Sequence, residues 1–158
     1  CAKFRKGHFE GVLDVMNKLT KIVKPKKIFM GEKDFQQLYL VKKELEKKYK
    51  TKVIPCKTIR DKDNVALSSR NLLLNKSNLT IAAKIYETLV DIKKNTKNKK
   101  NIPSFLNLKK KELKNNYKIK IDYLELRNIK NLKLSNTKNN SRLFIAYYLN
   151  NVRLIDNL

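Results

Sequence analysis

Two short stretches combine residue types that can hold an anion. The first, Gly31-Glu32-Lys33-Asp34-Phe35-Gln36-Gln37, follows the apolar run Lys27-Ile28-Phe29-Met30, which suits a buried parallel strand. It leads into Phe35, Leu38, Val41, Leu45 and Tyr49, whose spacing predicts a helix. Gly31 is expected to free the backbone for an abrupt turn. Such a turn would aim helix N-terminal N–H groups and the Lys33 ammonium at one point beyond a strand's carboxyl end, where open α/β sheets bind anions. Asp34 suits the N-cap with Gln37 three places on, so a plain capping box beside a solvated Lys33 is the competing reading. In the second stretch, Leu67-Ser68-Ser69-Arg70, adjacent hydroxyls can donate to phosphate oxygens while the guanidinium binds two oxygens at once. Its competing reading is a serine helix cap with a solvated arginine. His8 is the only histidine and stands at the mouth of the first helix, as a cap, a surface residue or a ligand contact.

The elements that must position these residues follow from periodicity. Phe9, Val12, Leu13, Met16, Leu19 and Val23 form one apolar stripe, stopped by Pro25. After the Gly31 turn and its helix to about Tyr49, Lys52-Val53-Ile54 reads as a second strand, giving a parallel βαβ unit. The polar run from Thr58 to Asn71 contains the Ser-Ser-Arg stretch just past that strand's end. Beyond it, Ile81, Ala82, Ile85, Leu89 and Ile92 predict one helix. Phe105, Leu108 and Leu113 predict another over about 104–115, after a Lys/Asn linker. Three strand candidates close the chain: Ile119–Arg127, Leu143–Tyr148 and Val152–Ile155. A loop at 136–141 and a turn at Asn150-Asn151 separate them. The expected fold is therefore α/β, a partial Rossmann-like domain over residues 1–67 followed by a small α+β domain with an antiparallel sheet over residues 68–158.

Composition narrows the function classes. With 158 residues and 41% hydrophobic content, the chain can build a real core. No apolar run approaches membrane-spanning length, and nothing at the start reads as a signal peptide, so a cytoplasmic protein with no membrane partner is expected. Cys1, Cys56 and a lone histidine do not make a zinc site, so no metal ligand is assigned. A formal charge of +24 would ordinarily suggest nucleic acid. Only six of the 38 basic residues are Arg, and neither Arg nor aromatic residues concentrate near a patch. A general drift toward Lys and Asn explains the charge better. A basic nucleic-acid-binding module remains the alternative, with nonspecific polyanion binding at low salt.

Taken together, the two stretches resemble signature motifs of the pantothenate synthetase family, ATP-dependent ligases that join pantoate to β-alanine. Gly7-His8-Phe9-x-Gly11-Val12, Asp122-Tyr123-Leu124-Glu125-Leu126-Arg127 and Arg153-Leu154-Ile155-Asp156-Asn157 are similar to the family as well, so the likeness runs nearly the whole chain. The resemblance implies a nucleotidyltransferase domain followed by a C-terminal lid, with ATP as co-substrate and Mg²⁺ carried by the nucleotide. It implies that Gly31, Glu32, Lys33 and Asp34, with Leu67, Ser68, Ser69 and Arg70, contact ATP, and that Ile59 lies by the adenine. Lys33, Ser68, Ser69 and Arg70 would hold the triphosphate, Gln37 would bind pantoate, and His8 falls on the pantoate side. A homodimer is expected of the complete enzyme. Two departures stand out: Lys6 where the family commonly has proline or a small residue, and Asn64 where it has glycine. Asn tolerates left-handed backbone angles, so the loop can keep its shape. The family's N-terminal half has no counterpart in these residues, and the chain is expected to be a C-terminal part that is inactive by itself.

Overall fold

A computed structural model describes residues 5–96 and 101–158. Cys1 and the lysine-rich positions 97–100 of the linker lie outside the described residues. By its internal contacts the chain falls into two compact units, Cys1–Thr58 and Ile59–Leu158.

In the first unit, helix α1 (His8–Val23) begins after Gly7, whose φ of 76° is a left-handed angle that glycine adopts without strain. It ends at Lys24, also left-handed, whose N–H donates to Thr20 O just before Pro25. Strands β1 (Lys27–Gly31) and β2 (Lys52–Cys56) pair in parallel from Lys27↔Lys52 to Gly31↔Cys56. They are joined through a 3-10 turn at Glu32–Asp34 and helix α2 (Phe35–Lys48), as the expected βαβ unit requires. Leu38, Val41 and Leu45 of α2 bury against Val53, and Ile28, Met30, Val12, Leu13 and Met16 close around them. Side chains then fix the strand entry. Thr51 Oγ1 donates to Pro25 O at 2.6 Å, and Glu46 Oε1 accepts the Val53 N–H at 2.9 Å.

The α1 stripe divides, which periodicity did not foretell. Val12, Leu13 and Met16 are packed, whereas Leu19 and Val23 are 51% and 67% exposed, along with Val15 and Ile22. The helix buries the face that carries Val12, Leu13, Met16 and Thr20, the last only 3% exposed, while Val15, Leu19, Ile22 and Val23 lie to the side of it.

In the second unit, β3 (Lys120–Asn128), β4 (Ser141–Leu149) and β5 (Val152–Asn157) form an antiparallel sheet in the order β3-β4-β5. Helices α3 (Lys76–Asn95) and α4 (Ile102–Tyr117) bury Ala82, Ile85, Leu89, Ile92, Leu106 and Leu113 in the same core as Leu143, Ile145 and Tyr147 of the central strand. Each helix starts on an asparagine cap: Asn75 accepts from Asn78 N, and Asn101 from Ser104 N. The partial alternation of β3 has a cause. A bulge between Ile121 and Tyr123 shifts the register, so Ile119 and Ile121 before it and Leu124 and Leu126 after it all face the core. Asn150, at φ 51°, makes the turn between β4 and β5.

The two units divide between Thr58 and Ile59, ahead of the 67/68 boundary read from sequence. The segment from Ile59 to Leu74 is attached to the second unit by buried Val65 and Leu74 in its core and by an ion pair from Arg60 to Asp156.

Candidate functional site

In the first unit the Gly31–Gln37 stretch forms one turn at the carboxyl end of β1, as the residue types suggested. Its local conformation departs from expectation. Gly31 has φ −68° and ψ 135°, an extended geometry open to any residue, so glycine is not required by the backbone. A Cβ built there would meet nothing within 4 Å, and what glycine adds is clearance above the turn. The helix does not start at Asp34. Glu32–Asp34 is a 3-10 turn, α2 begins at Phe35, and the Asp34 side chain makes no capping hydrogen bond. The expected capping box is therefore not formed at Asp34, and its carboxylate is exposed on the turn. Lys33 is half-buried within the same turn, and Gln37 is half-buried in the first turn of α2. His8 opens α1, where Arg5 Nη1 lies 2.9 Å from its Nε2 and its ring lies 5.3 Å from that of Phe9.

In the second unit, Ile59–Leu67 is a short hairpin. Arg60 bridges Ala66 antiparallel, and the Leu67 N–H donates to Ile59 O at 3.0 Å. Asp61 Oδ1 closes the turn by accepting from the N–H groups of Asp63 and Val65, both at 2.9 Å. Asn64 stands at φ 65°, the left-handed angle expected where asparagine replaces the family's glycine. The hairpin thus sets Ile59 and Leu67 side by side, 71% and 51% exposed. Directly after it, Ser68 caps the 3-10 helix Ser69–Leu73, its Oγ accepting the Arg70 N–H at 3.3 Å. The serine-cap reading is correct for Ser68, but acceptance uses a lone pair and leaves the O–H to donate elsewhere. Ser69 and Arg70 are exposed, and Arg70 Nη1 donates to Arg153 O at 3.4 Å. Each unit gathers its own set of expected residues, Gly31–Gln37 in one and Ile59 with Leu67–Arg70 in the other.

Sequence reasoning missed Arg60. Its guanidinium is bidentate on Asp156, at 2.7 and 2.9 Å, donates to Asn64 O at 3.0 Å and lies 4.3 Å from the centroid of the Tyr86 ring. Burial pushes the Tyr147 hydroxyl well above its ordinary range, and the Asp156 carboxylate adds to that push. Nearby, Arg153 Nε donates to Asp122 Oδ2 at 2.9 Å, and Arg142 Nη1 donates to Asn157 Oδ1 at 3.0 Å. The closing Arg153–Asn157 run therefore commits its polar side chains to structure. No signal in the sequence marks it, because its carboxylate partner stands 96 positions away. Among the described residues no group of three or more His, Cys, Asp or Glu side chains is placed to hold a metal ion. No helix among them is long and apolar enough to cross a membrane.

A parallel strand–helix–strand unit followed by an antiparallel sheet under two helices is the architecture of a nucleotidyltransferase-like domain with a small α+β domain. The chain belongs to the pantoate-beta-alanine ligase family, whose profile matches residues 1–158. It is 39% identical to the pantothenate synthetase of Flavobacterium psychrophilum, across 99% of this chain and 56% of that one. It is 38% identical to that of Francisella tularensis subsp. novicida, across 98% and 51%. Among solved structures, pantothenate synthetase from Thermus thermophilus superposes with a TM-score of 0.89 at 29% identity, covering 99% of this chain and 58% of that one. The pantoate-beta-alanine ligase of Francisella tularensis, complexed with beta-gamma ATP and beta-alanine, gives 0.73 at 36% identity, covering 99% and 52%. The chain spans about half the length of the curated relatives it matches.

Proposed function

We propose that this chain carries part of the machinery of an ATP-dependent ligase that condenses pantoate with β-alanine to give pantothenate. The observation that carries the reading is the 36% identity, over 99% of the chain, to a ligase whose structure holds beta-gamma ATP and beta-alanine. In the first step the pantoate carboxylate attacks the α-phosphorus of ATP, releasing pyrophosphate and leaving pantoyl adenylate. The neutral amine of β-alanine then attacks the acyl carbon and AMP departs. Neither step needs a nucleophile from the protein, whose task is to hold the reactants and offset charge on the phosphates.

In this reading Lys33, Ser68, Ser69 and Arg70 hold the triphosphate, with Mg²⁺ arriving on the nucleotide. Gly31, Glu32 and Asp34 contact ATP through the turn, Leu67 contacts it from the hairpin, and Ile59 lies by the adenine. Gln37 and His8 serve pantoate. Three features of the structure support the assignment: the open space above Gly31, an Asp34 not engaged in capping, and a Ser68 hydroxyl with its donor to spare. Residues 68–158 act as a lid that keeps water from the adenylate. The enzyme works in the cytoplasm as a homodimer. The relatives lend no support to the nucleic-acid alternative.

Pantoate-dependent exchange of pyrophosphate into ATP, measured on the full-length gene product, tests the reading. Lys33→Ala is expected to lower exchange about a hundredfold, the scale of removing one charge-stabilising donor. A parent protein without pantoate-dependent exchange refutes the ligase reading. Near-parental exchange in Lys33→Ala refutes the role of that lysine alone.

A further inference from the structure

We infer that Arg60 and Asp156 are positioning residues for the nucleotide, a pair that fixes the Ile59–Leu67 hairpin so that Ile59 and Leu67–Arg70 are presented in one arrangement. The inference rests on the ligase reading and adds to it two residues that touch no substrate.

The argument starts from the hairpin's own weakness. Arg60↔Ala66 is an isolated bridge, and a two-stranded ribbon this short does not hold itself in water. Strand geometry then assigns the faces. Successive side chains alternate, so Arg60 and Ala66 share one face and Ile59 and Leu67 the other. Burial agrees. Ala66 is 5% exposed and the Arg60 side chain 16%, against 71% for Ile59 and 51% for Leu67. Whatever fixes the inner face sets the direction of the outer one.

The inner face is fixed by a planar fork. Both Arg60 Nη atoms meet both Asp156 oxygens, and the Asp156 side chain is only 9% exposed. The Tyr86 ring lies 4.3 Å from the same guanidinium carbon. Two parallel N–H···O bonds and a stacked face together leave the guanidinium no freedom to rotate, which a single ammonium contact would not achieve. The same arginine reaches Asn64 O across the turn. Asp156 lies on β5, paired with Ile145 of the buried central strand, so the anchor is tied into the sheet of the unit. Downstream, Asn71 Nδ2 donates to Ala66 O at 3.1 Å and Arg70 Nη1 reaches Arg153 O, both carrying the fixed register into Ser68–Arg70.

The test uses Asp156→Asn, which keeps shape and removes the charge, and Arg60→Lys, which keeps charge and removes the fork and stack. Both are made in the full-length gene product, so that a poorly folding variant leaves the other to decide. Amide hydrogen exchange is expected to rise about tenfold across residues 59–71 while α3 and β3–β5 keep their protection. The KM for ATP is expected to rise about tenfold, with the KM for β-alanine unmoved. A uniform rise in exchange through the whole second unit would make the pair merely structural. An unchanged KM for ATP in a variant with a loosened hairpin would equally overturn the inference. Loss of turnover in the parent protein would instead remove the ligase reading, and this inference with it.

Discussion

Ser68 accepts the Arg70 N–H and keeps its own proton, so one side chain can cap a 3-10 helix and still offer a donor to a phosphate oxygen. The two roles make separable predictions. Ser68→Ala is expected to cost about 0.5–1 kcal/mol, the low end for a lost N-cap, and to weaken ATP use as well. Ser69→Ala, at an exposed position, is expected to change stability by less than about 0.5 kcal/mol while also impairing ATP use. Thermal melts beside pyrophosphate exchange separate these effects, and a Ser69→Ala protein that melts early with unaltered exchange would reverse the assignment.

At the scale of the element, the hairpin at 59–67 shows how a departure from a family's pattern is accommodated. Asn64 carries φ 65° where the resemblance placed a glycine, and its carbonyl accepts from Arg60. Asn64→Gly is expected to be close to neutral. Asn64→Ala is expected to destabilise by about 1 kcal/mol, the cost of forcing an ordinary side chain into a left-handed angle. Denaturant titration of both variants checks this, and equal stability of the two would show that the backbone relaxes away from that angle. The same scale explains where periodicity misled. α1 carries a continuous apolar stripe, but its buried face in the last two turns is the polar Thr20, and Leu19, Ile22 and Val23 lie to the side of it. The stripe reports that the helix is amphipathic, not how much of it a neighbour covers.

For the whole molecule, the exposed apolar side chains of α1 and the two-stranded β1–β2 sheet leave apolar surface and, among the described residues, unpaired strand edges in the first unit. The 158-residue chain by itself is expected to self-associate as concentration rises, and Ile22→Lys with Val23→Lys is expected to suppress that in sedimentation experiments. It is also expected to release no appreciable AMP from ATP and pantoate when assayed alone. Supplying the N-terminal region of the Flavobacterium psychrophilum relative, fused or separate, is expected to restore release. Robust turnover by the 158 residues alone would show that the assigned residues suffice.

What the sequence determined by itself is what depends on near neighbours in the chain. Helical periodicity, short apolar runs and partial alternation located the four α-helices and five strands of the described residues, and Pro25 and Asn150 marked two of their ends, because these signals act within a few residues. The Lys33 turn and the Ser-Ser-Arg stretch were legible for the same reason, each being a contiguous motif. Only tertiary structure could show that Asp34 does not cap, that Ser68 does, and that a bulge beside Asp122 explains the broken alternation of β3. It alone could pair Arg60 with Asp156, 96 positions apart. A charged residue carries no mark in sequence of the partner it meets, since desolvation and pairing are properties of the space the fold creates.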